Sequence, residues 1–240
     1  MPVRAIENVS NEVAAGHINK YFEVRTDGRP KYTGSKFETF AGGGDIVDPN
    51  RITSADLIAV SMLSVHVPGE AALGITGEFA GEIEELLAQV PTELRLEDLT
   101  EDEFVTYLDD GSPAGRIWAL LRQRGNRWGV GQTTTSKILA RKRPHLVPIY
   151  DSVIAGLVGM RDSRSQWRCW WEAFQGDEGR KLIERLAVIR AASGQTHLSL
   201  LRVLDIVLWM EGRGAEKIRE TAATKNRNPG LMRSAALTSP

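Results

Sequence analysis

The sequence predicts a mainly α-helical protein forming one compact unit. Three observations lead there: apolar residues recur at helical spacing through most of the chain, those stretches carry identifiable end signals, and only one segment mixes β-formers with turn residues. That segment, Tyr21 to Asp48, carries Asp27-Gly28 and a glycine triplet, and reads as a short β-hairpin followed by a loop. Thr53-Ser-Ala-Asp56 is a capping-box start for the apolar run Leu57 to Val67, which Pro68 ends. Glu78 to Val90 places Ile83, Leu86, Leu87 and Val90 on one face, and Pro91 closes it. Thr100 precedes Glu101, Asp102 and Glu103, whose charges suit a helix N-terminus. Ser112 as N-cap, with Pro113 at the first helical position, opens Ala114 to Arg124. Lys181 to Ala192 and Leu198 to Met210 are the last amphipathic helices, the latter expected to stop at Glu211-Gly212-Arg213-Gly214. Residues 1–222 are expected to form a single domain of one or two lobes. Residues 223–240, with Asn226-Arg227-Asn228-Pro229-Gly230, have little periodicity and are expected to be a disordered tail.

Composition excludes several classes. The longest apolar stretch, Leu200 to Met210, is broken by Arg202 and Asp205 and falls short of the ~18–20 residues of a membrane span. The N-terminus carries acids early and has no signal-peptide h-region, so the protein is expected to be soluble and cytoplasmic. A single cysteine, Cys169, and four scattered histidines without ligand spacing leave no basis for a disulfide, a zinc site or a cluster; no metal or other cofactor is expected. Cys169 lies in the helix QWRCWWEAF, where Trp167, Trp170 and Trp171 share a side and read as core.

The formal net charge of −1 conceals segregation. Between Glu70 and Asp110 thirteen acidic residues face one basic residue, Arg95. From Gly111 to Tyr150 there is no Asp or Glu, against Arg116, Arg122, Arg124, Arg127, Lys137, Arg141, Lys142 and Arg143. Such a run is either a phosphate-binding surface or a solvated face, and the acidic stretch can alternatively serve as its partner within the fold.

Inside the basic run lies Trp128-Gly-Val-Gly-Gln-Thr-Thr-Thr-Ser-Lys-Ile-Leu-Ala-Arg141. The spacing predicts a helix, a tight turn through Gly129, Val130 and Gly131, and a second helix, with the helix-hairpin-helix unit spanning residues 114–143. Two glycines let the backbone approach a ligand without an intervening Cβ. The turn directs N–H groups outward at the positive end of the second helix, which makes an anion site. Thr133 and Thr134 add hydroxyls, and Lys137 and Arg141 add cations. The Walker pattern is absent, and the turn follows a helix rather than the strand of a dinucleotide fold.

GVGQTTTSKIL followed by Pro148-Ile-Tyr-Asp151 resembles the hairpin and trailing aspartate of the helix-hairpin-helix DNA glycosylase superfamily. The resemblance covers about forty residues. It implies a glycosylase-like helical bundle that binds duplex DNA through the phosphate backbone, with Asp151 in the catalytic role. Thr134 and Thr135 take the positions of the family's Thr-Ala pair, and Thr133 stands where bifunctional members carry a Schiff-base lysine, which implies a monofunctional enzyme without lyase chemistry. Trp128 replaces a proline, Ser152 replaces a threonine, and no iron-sulfur cysteines follow. The chain as a whole also resembles a mainly actinobacterial family of unknown function, which adds no activity.

An aspartate suits that chemistry because N-glycosidic cleavage develops an oxocarbenium-like sugar that a carboxylate stabilises, once the base has left the duplex stack. Asp151 also precedes Ser-Val-Ile-Ala-Gly-Leu and suits an ordinary N-cap. Tyr21, Tyr32 and Phe37 lie among Arg25, Arg29, Lys31 and Lys36, the interleaving of a surface that contacts unstacked bases. With Asp205 and Trp209, spaced one helical turn apart, they are the candidate base pocket; the alternative for Asp205 is a buried pair with Arg202. Two functions remain open: a DNA N-glycosylase acting on a damaged or modified base, and a non-catalytic DNA-binding module of a repair or defence complex.

Overall fold

Side-chain caps set about half of the helix starts in the computed structural model, which describes residues 2–123, 128–163 and 165–227. The helices are α1 (Pro2–Glu7), α2 (Asn11–Tyr21), α3 (Ser54–Ser61), α4 (Gly69–Leu73), α5 (Ala80–Ala88), α6 (Glu101–Leu108), α7 (Pro113–Arg122), α8 (Gln132–Lys142), α9 (Ser152–Val158), α10 (Gln166–Ala173), α11 (Gly176–Ala192) and α12 (Leu200–Arg227). Thr53 with Asp56 and Thr100 with Glu103 form reciprocal capping boxes, and the Ser112 hydroxyl accepts the Gly115 N–H. The protein is therefore mainly α-helical.

Two helices run through the core. Every residue of α8 from Thr134 to Lys142 is buried, as are Val203, Leu204, Ile206, Val207 and Leu208 of α12. Helix α8 packs on α3 and α7, while α12 packs on α2, α9 and α11. The expected apolar face of α5 is present, with Ile83, Leu86, Leu87 and Val90 all buried. Trp170 and Trp171 join the core, Trp171 donating its indole N–H to Leu99 O at 2.9 Å, whereas Cys169 is half-buried.

Four expectations are corrected. The hairpin in Tyr21 to Asp48 reduces to one antiparallel bridge, Val24 to Pro30, around Gly28 at φ 78°; short 3-10 turns at Thr33–Lys36 and Phe40–Gly42 follow. Helix α3 ends at Ser61 rather than Val67, because the next carbonyls turn to side chains: Met62 O accepts the Thr33 hydroxyl at 2.7 Å and Leu63 O accepts Lys137 Nζ at 2.9 Å. Helix α12 does not stop at Gly212 or Gly214 but continues to Arg227, so residues 223–227, expected in the tail, are helical. Gly212 is there for contact, since a Cβ at that position would lie 2.5 Å from Val153 Cγ1 of α9. The rest of the expected tail, 228–240, lies outside the described residues, as do Arg124 and Arg127.

The charge segregation also resolves differently. Arg141, Lys142 and Arg143 are buried. Asp56 accepts Arg141 Nε at 3.2 Å and Lys142 Nζ at 3.0 Å. Arg141 further bonds the carbonyls of Phe37, Glu38 and Phe40, and Arg143 those of Leu87, Val90 and Pro49. Burial pushes the Arg143 pKa down to about 10. The partners are thus one aspartate, the Asn50 amide oxygen and a set of backbone oxygens; from the acidic stretch, Glu82 lies 3.9 Å from Arg116 on the surface and the charge of Glu93 acts on Arg143. Among the described residues, no helix is long and apolar enough to cross a membrane.

Candidate functional site

The hairpin is built by its glycines. Gly129 adopts φ 82°, where L side chains are strained, and a Cβ there would lie 2.8 Å from Pro68 Cγ. Gly131 is the N-cap of α8, with open space around it and no side chain to cap the first turn. Val130 between them turns into the core, as does Trp128, whose indole N–H holds Leu121 O at 3.0 Å. The turn therefore fixes α7 to α8, and among the described residues no side chain caps the amino end of α8.

Asp151 is held beside that end by polar ties. The Ser136 hydroxyl accepts the Tyr150 N–H at 2.9 Å and donates to Thr133 O at 2.9 Å, and Gln166 Nε2 donates to Ile149 O at 2.8 Å. Asp151 Oδ1 caps α9 by accepting the Val153 N–H at 3.0 Å. Its Oδ2 lies 3.4 Å from Lys137 Nζ, one helical turn beyond Thr133 on α8.

Thr133, Lys137 and Asp151 line a cavity of about 530 Å³ that Tyr21, Tyr32, Asp205 and Trp209 also line, so residues from distant parts of the chain converge. The rings of Tyr21 and Tyr32 stack at 5.5 Å with 7° between planes, and Trp209 stands edge-on to both, at 6.0 and 5.6 Å. Met62 to Val65, the segment that leaves α3 early, also lines the cavity, and Leu63 O meets Lys137 of α8 there.

The cavity is electrostatically mixed. Arg202 is buried and bonds both Glu38 and Asp205, and its guanidinium donates to the Tyr21 hydroxyl at 3.0 Å. Burial opposes its charge, but Glu38, Tyr21 and Asp205 outweigh burial and raise its pKa. Asp205 shares that one cation with Glu38, so burial prevails and pushes its carboxyl up to about 6 despite Arg202. Burial likewise lowers the Lys137 pKa, against the pull of Asp151 and Asp205.

Several expected site residues fall elsewhere. Arg141 is withdrawn from the phosphate surface because its donors are engaged inside the protein, and Thr134 is buried under the hairpin. Lys137, also expected at phosphate, has only 4% of its side chain exposed and points its amine at Leu63 O and Asp151. Phe37 does not line the large cavity; it faces a separate void of about 20 Å³ and carries Arg141 and Arg202 against its ring. Gly129, Gly131 and Thr133 remain at the open end. Sequence reasoning missed Glu38 as the second partner of Arg202 and the Met62 to Val65 wall. Neither carries a local signal, since both depend on contacts across the chain.

Among the described residues, no group of three His, Cys, Asp or Glu side chains is placed to hold a metal ion. None of the curated proteins and none of the solved structures matches the chain. Residues 14–212 match the model of a family of unknown function, DUF6308, and the chain belongs to that family.

Proposed function

We propose that this protein binds DNA and hydrolyses the N-glycosidic bond of a damaged or modified base. Backbone N–H groups at the amino end of α8 hold a phosphate, the cavity receives the extruded nucleotide, and Asp151 faces the sugar. The observation that carries this reading is the convergence of Thr133, Asp151 and an aromatic cluster on one cavity of about 530 Å³, a volume suited to a small-molecule-sized group. A base inside a duplex is unreachable for such chemistry and must leave the stack, and Tyr32 and Trp209 offer rings against which it can be held. The Asp151 carboxylate stabilises the positive charge that develops on the sugar and orients the attacking water. Thr133 carries no amine, so base release in this scheme is hydrolytic.

A second reading, a non-catalytic DNA-binding module, draws on the same carboxylate: Asp151 caps α9 and pairs with Lys137, which is enough to justify an aspartate structurally. Single-turnover base release from oligonucleotides carrying one modified base each separates the two. The catalytic reading expects Asp151→Asn to slow release by about 10²-fold or more. Equal rates for the two proteins would leave the binding module.

A further inference from the structure

Resting on the reading that DNA enters this cavity, we infer a second phosphate site at its mouth: Arg213 of α12 and the Ser152 hydroxyl hold one backbone phosphate of the extruded nucleotide, while the amino end of α8 holds the other.

The lining is graded by depth, and that gradation carries the inference. Asp205, Trp209 and Arg213 follow at four-residue steps on one face of α12, and all three line the cavity. The Asp205 side chain is 11% exposed, Trp209 is half-buried and Arg213 is exposed, so this face runs from floor to mouth. Eight residues span about 12 Å of helix, the reach of a nucleotide from its phosphate to the far edge of its base. Helix α8 repeats the order, with Thr133 half-buried and Lys137 buried one turn deeper. A nucleotide lying along α12 thus sets its base against Trp209 and its phosphate at Arg213.

Two contacts fix Arg213 there. Gly212 lies so close to α9 that a Cβ would sit 2.5 Å from Val153 Cγ1, which brings the next residue of α12 beside the start of α9. Ser152 is exposed at that point and lines the cavity, and the cap of α9 is supplied by Asp151, which leaves the Ser152 hydroxyl unused for it. One turn back along α12, the Trp209 ring carries the Arg213 guanidinium 5.6 Å from its centroid. A guanidinium laid on a ring presents its N–H fork at the edge, where it matches the paired oxygens of a phosphodiester, and a neighbouring hydroxyl adds a donor. A purely structural arginine looks different: Arg168 also lies over rings, those of Phe104 and Trp171, but it is tied to Glu101 at 2.5 Å and does not line this cavity.

The test uses the full chain and a duplex carrying one tetrahydrofuran site, so no damaged base need be known. Affinity is read by fluorescence anisotropy, first against sodium chloride, then with a neutral methylphosphonate replacing each phosphate around the site in turn. Loss of one phosphate contact takes about 0.9 from the slope of log affinity against log salt, so Arg213→Gln and Arg213→Met should each lower the slope by that amount. Arg180→Gln, on an exposed part of α11, should leave it unchanged. In the wild type, methylphosphonates should weaken binding about tenfold at the two phosphates of the tetrahydrofuran nucleotide, and Arg213→Gln should erase one of these penalties and keep the other. An unchanged slope in either folded Arg213 variant, both penalties surviving in Arg213→Gln, or a single penalised phosphate in the wild type would overturn the inference. The wild-type scan stands even if a variant fails to fold. Both penalties surviving while a modified base is still released would count against the second site alone. The expected pattern without release of any modified base would count against the glycosylase reading alone, and no binding to any duplex would remove both.

Discussion

Replacing Asp56 by Asn should destabilise the fold by about 3–5 kcal/mol, the usual cost of leaving buried charge without its partner. Asp56 is 3% exposed, and its two carboxylate oxygens serve Arg141, Lys142 and the Thr53 N–H. Asparagine keeps the volume and one oxygen, so the cap of α3 can persist and the lost quantity is mainly the charge. Arg141 retains the carbonyls of Phe37, Glu38 and Phe40, which places its share at the low end. Lys142 loses its anion. Its pKa is already lowered by burial against the pull of Asp56, and the variant should lower it further. A folded-state pKa below the unfolded value means the unfolded chain binds more protons, so this contribution to stability rises with pH. The deficit should therefore be larger at pH 7 than at pH 9. Urea denaturation at both values measures it. A loss below about 1 kcal/mol, or a deficit that grows with pH, would refute the assignment of these cations to the core.

The two hairpin glycines should behave differently. Gly131→Glu meets open space and adds an acid at a helix N-terminus, so stability should hold or rise slightly while duplex DNA affinity falls about tenfold, ~1.4 kcal/mol; unchanged affinity at low salt would remove the phosphate site. Gly129→Ala combines φ 82° with a clash against Pro68 and should cost about 1–3 kcal/mol in a denaturant melt; an unchanged midpoint would contradict that turn geometry. The Asp205 carboxyl should titrate near 6 by carbon NMR. Because that value is raised above the unfolded one, 3.8, the stability it contributes is full below about pH 4 and lost as pH rises through 6, a change of roughly 3 kcal/mol. A midpoint below 4.5 would show that Arg202 outweighs burial.

Local chemistry was legible in the sequence: the capping box at Thr53, the acidic first turn after Thr100, the Ser112-Pro113 start and the apolar face of α5 each depend on neighbours within a few residues. The candidate cavity was partly legible, since the aromatic and charge pattern singles out Tyr21, Tyr32, Asp205 and Trp209, and all four line it. What failed was the inference from charge to exposure. Eight basic residues without an acid between them suggested a surface, yet Arg141, Lys142 and Arg143 are solvated by Asp56 and by carbonyls far away in sequence. The glycines near 212 misled for a related reason: the role of Gly212 is set by Val153, on a helix some sixty residues earlier.

If Asp151 faces a developing positive charge in the cavity, the site should recognise that charge in a stable mimic. Transition-state analogues bind more tightly than neutral mimics when a site is built for the charge they carry. Duplexes containing a cationic pyrrolidine or a neutral tetrahydrofuran in place of one deoxyribose differ in that charge, and their affinities can be compared at one fixed salt concentration. The wild type should prefer the pyrrolidine by at least about tenfold, ~1.4 kcal/mol, and Asp151→Asn should abolish the preference. Equal affinities in the wild type, or a preference that survives in Asp151→Asn, would contradict the claim.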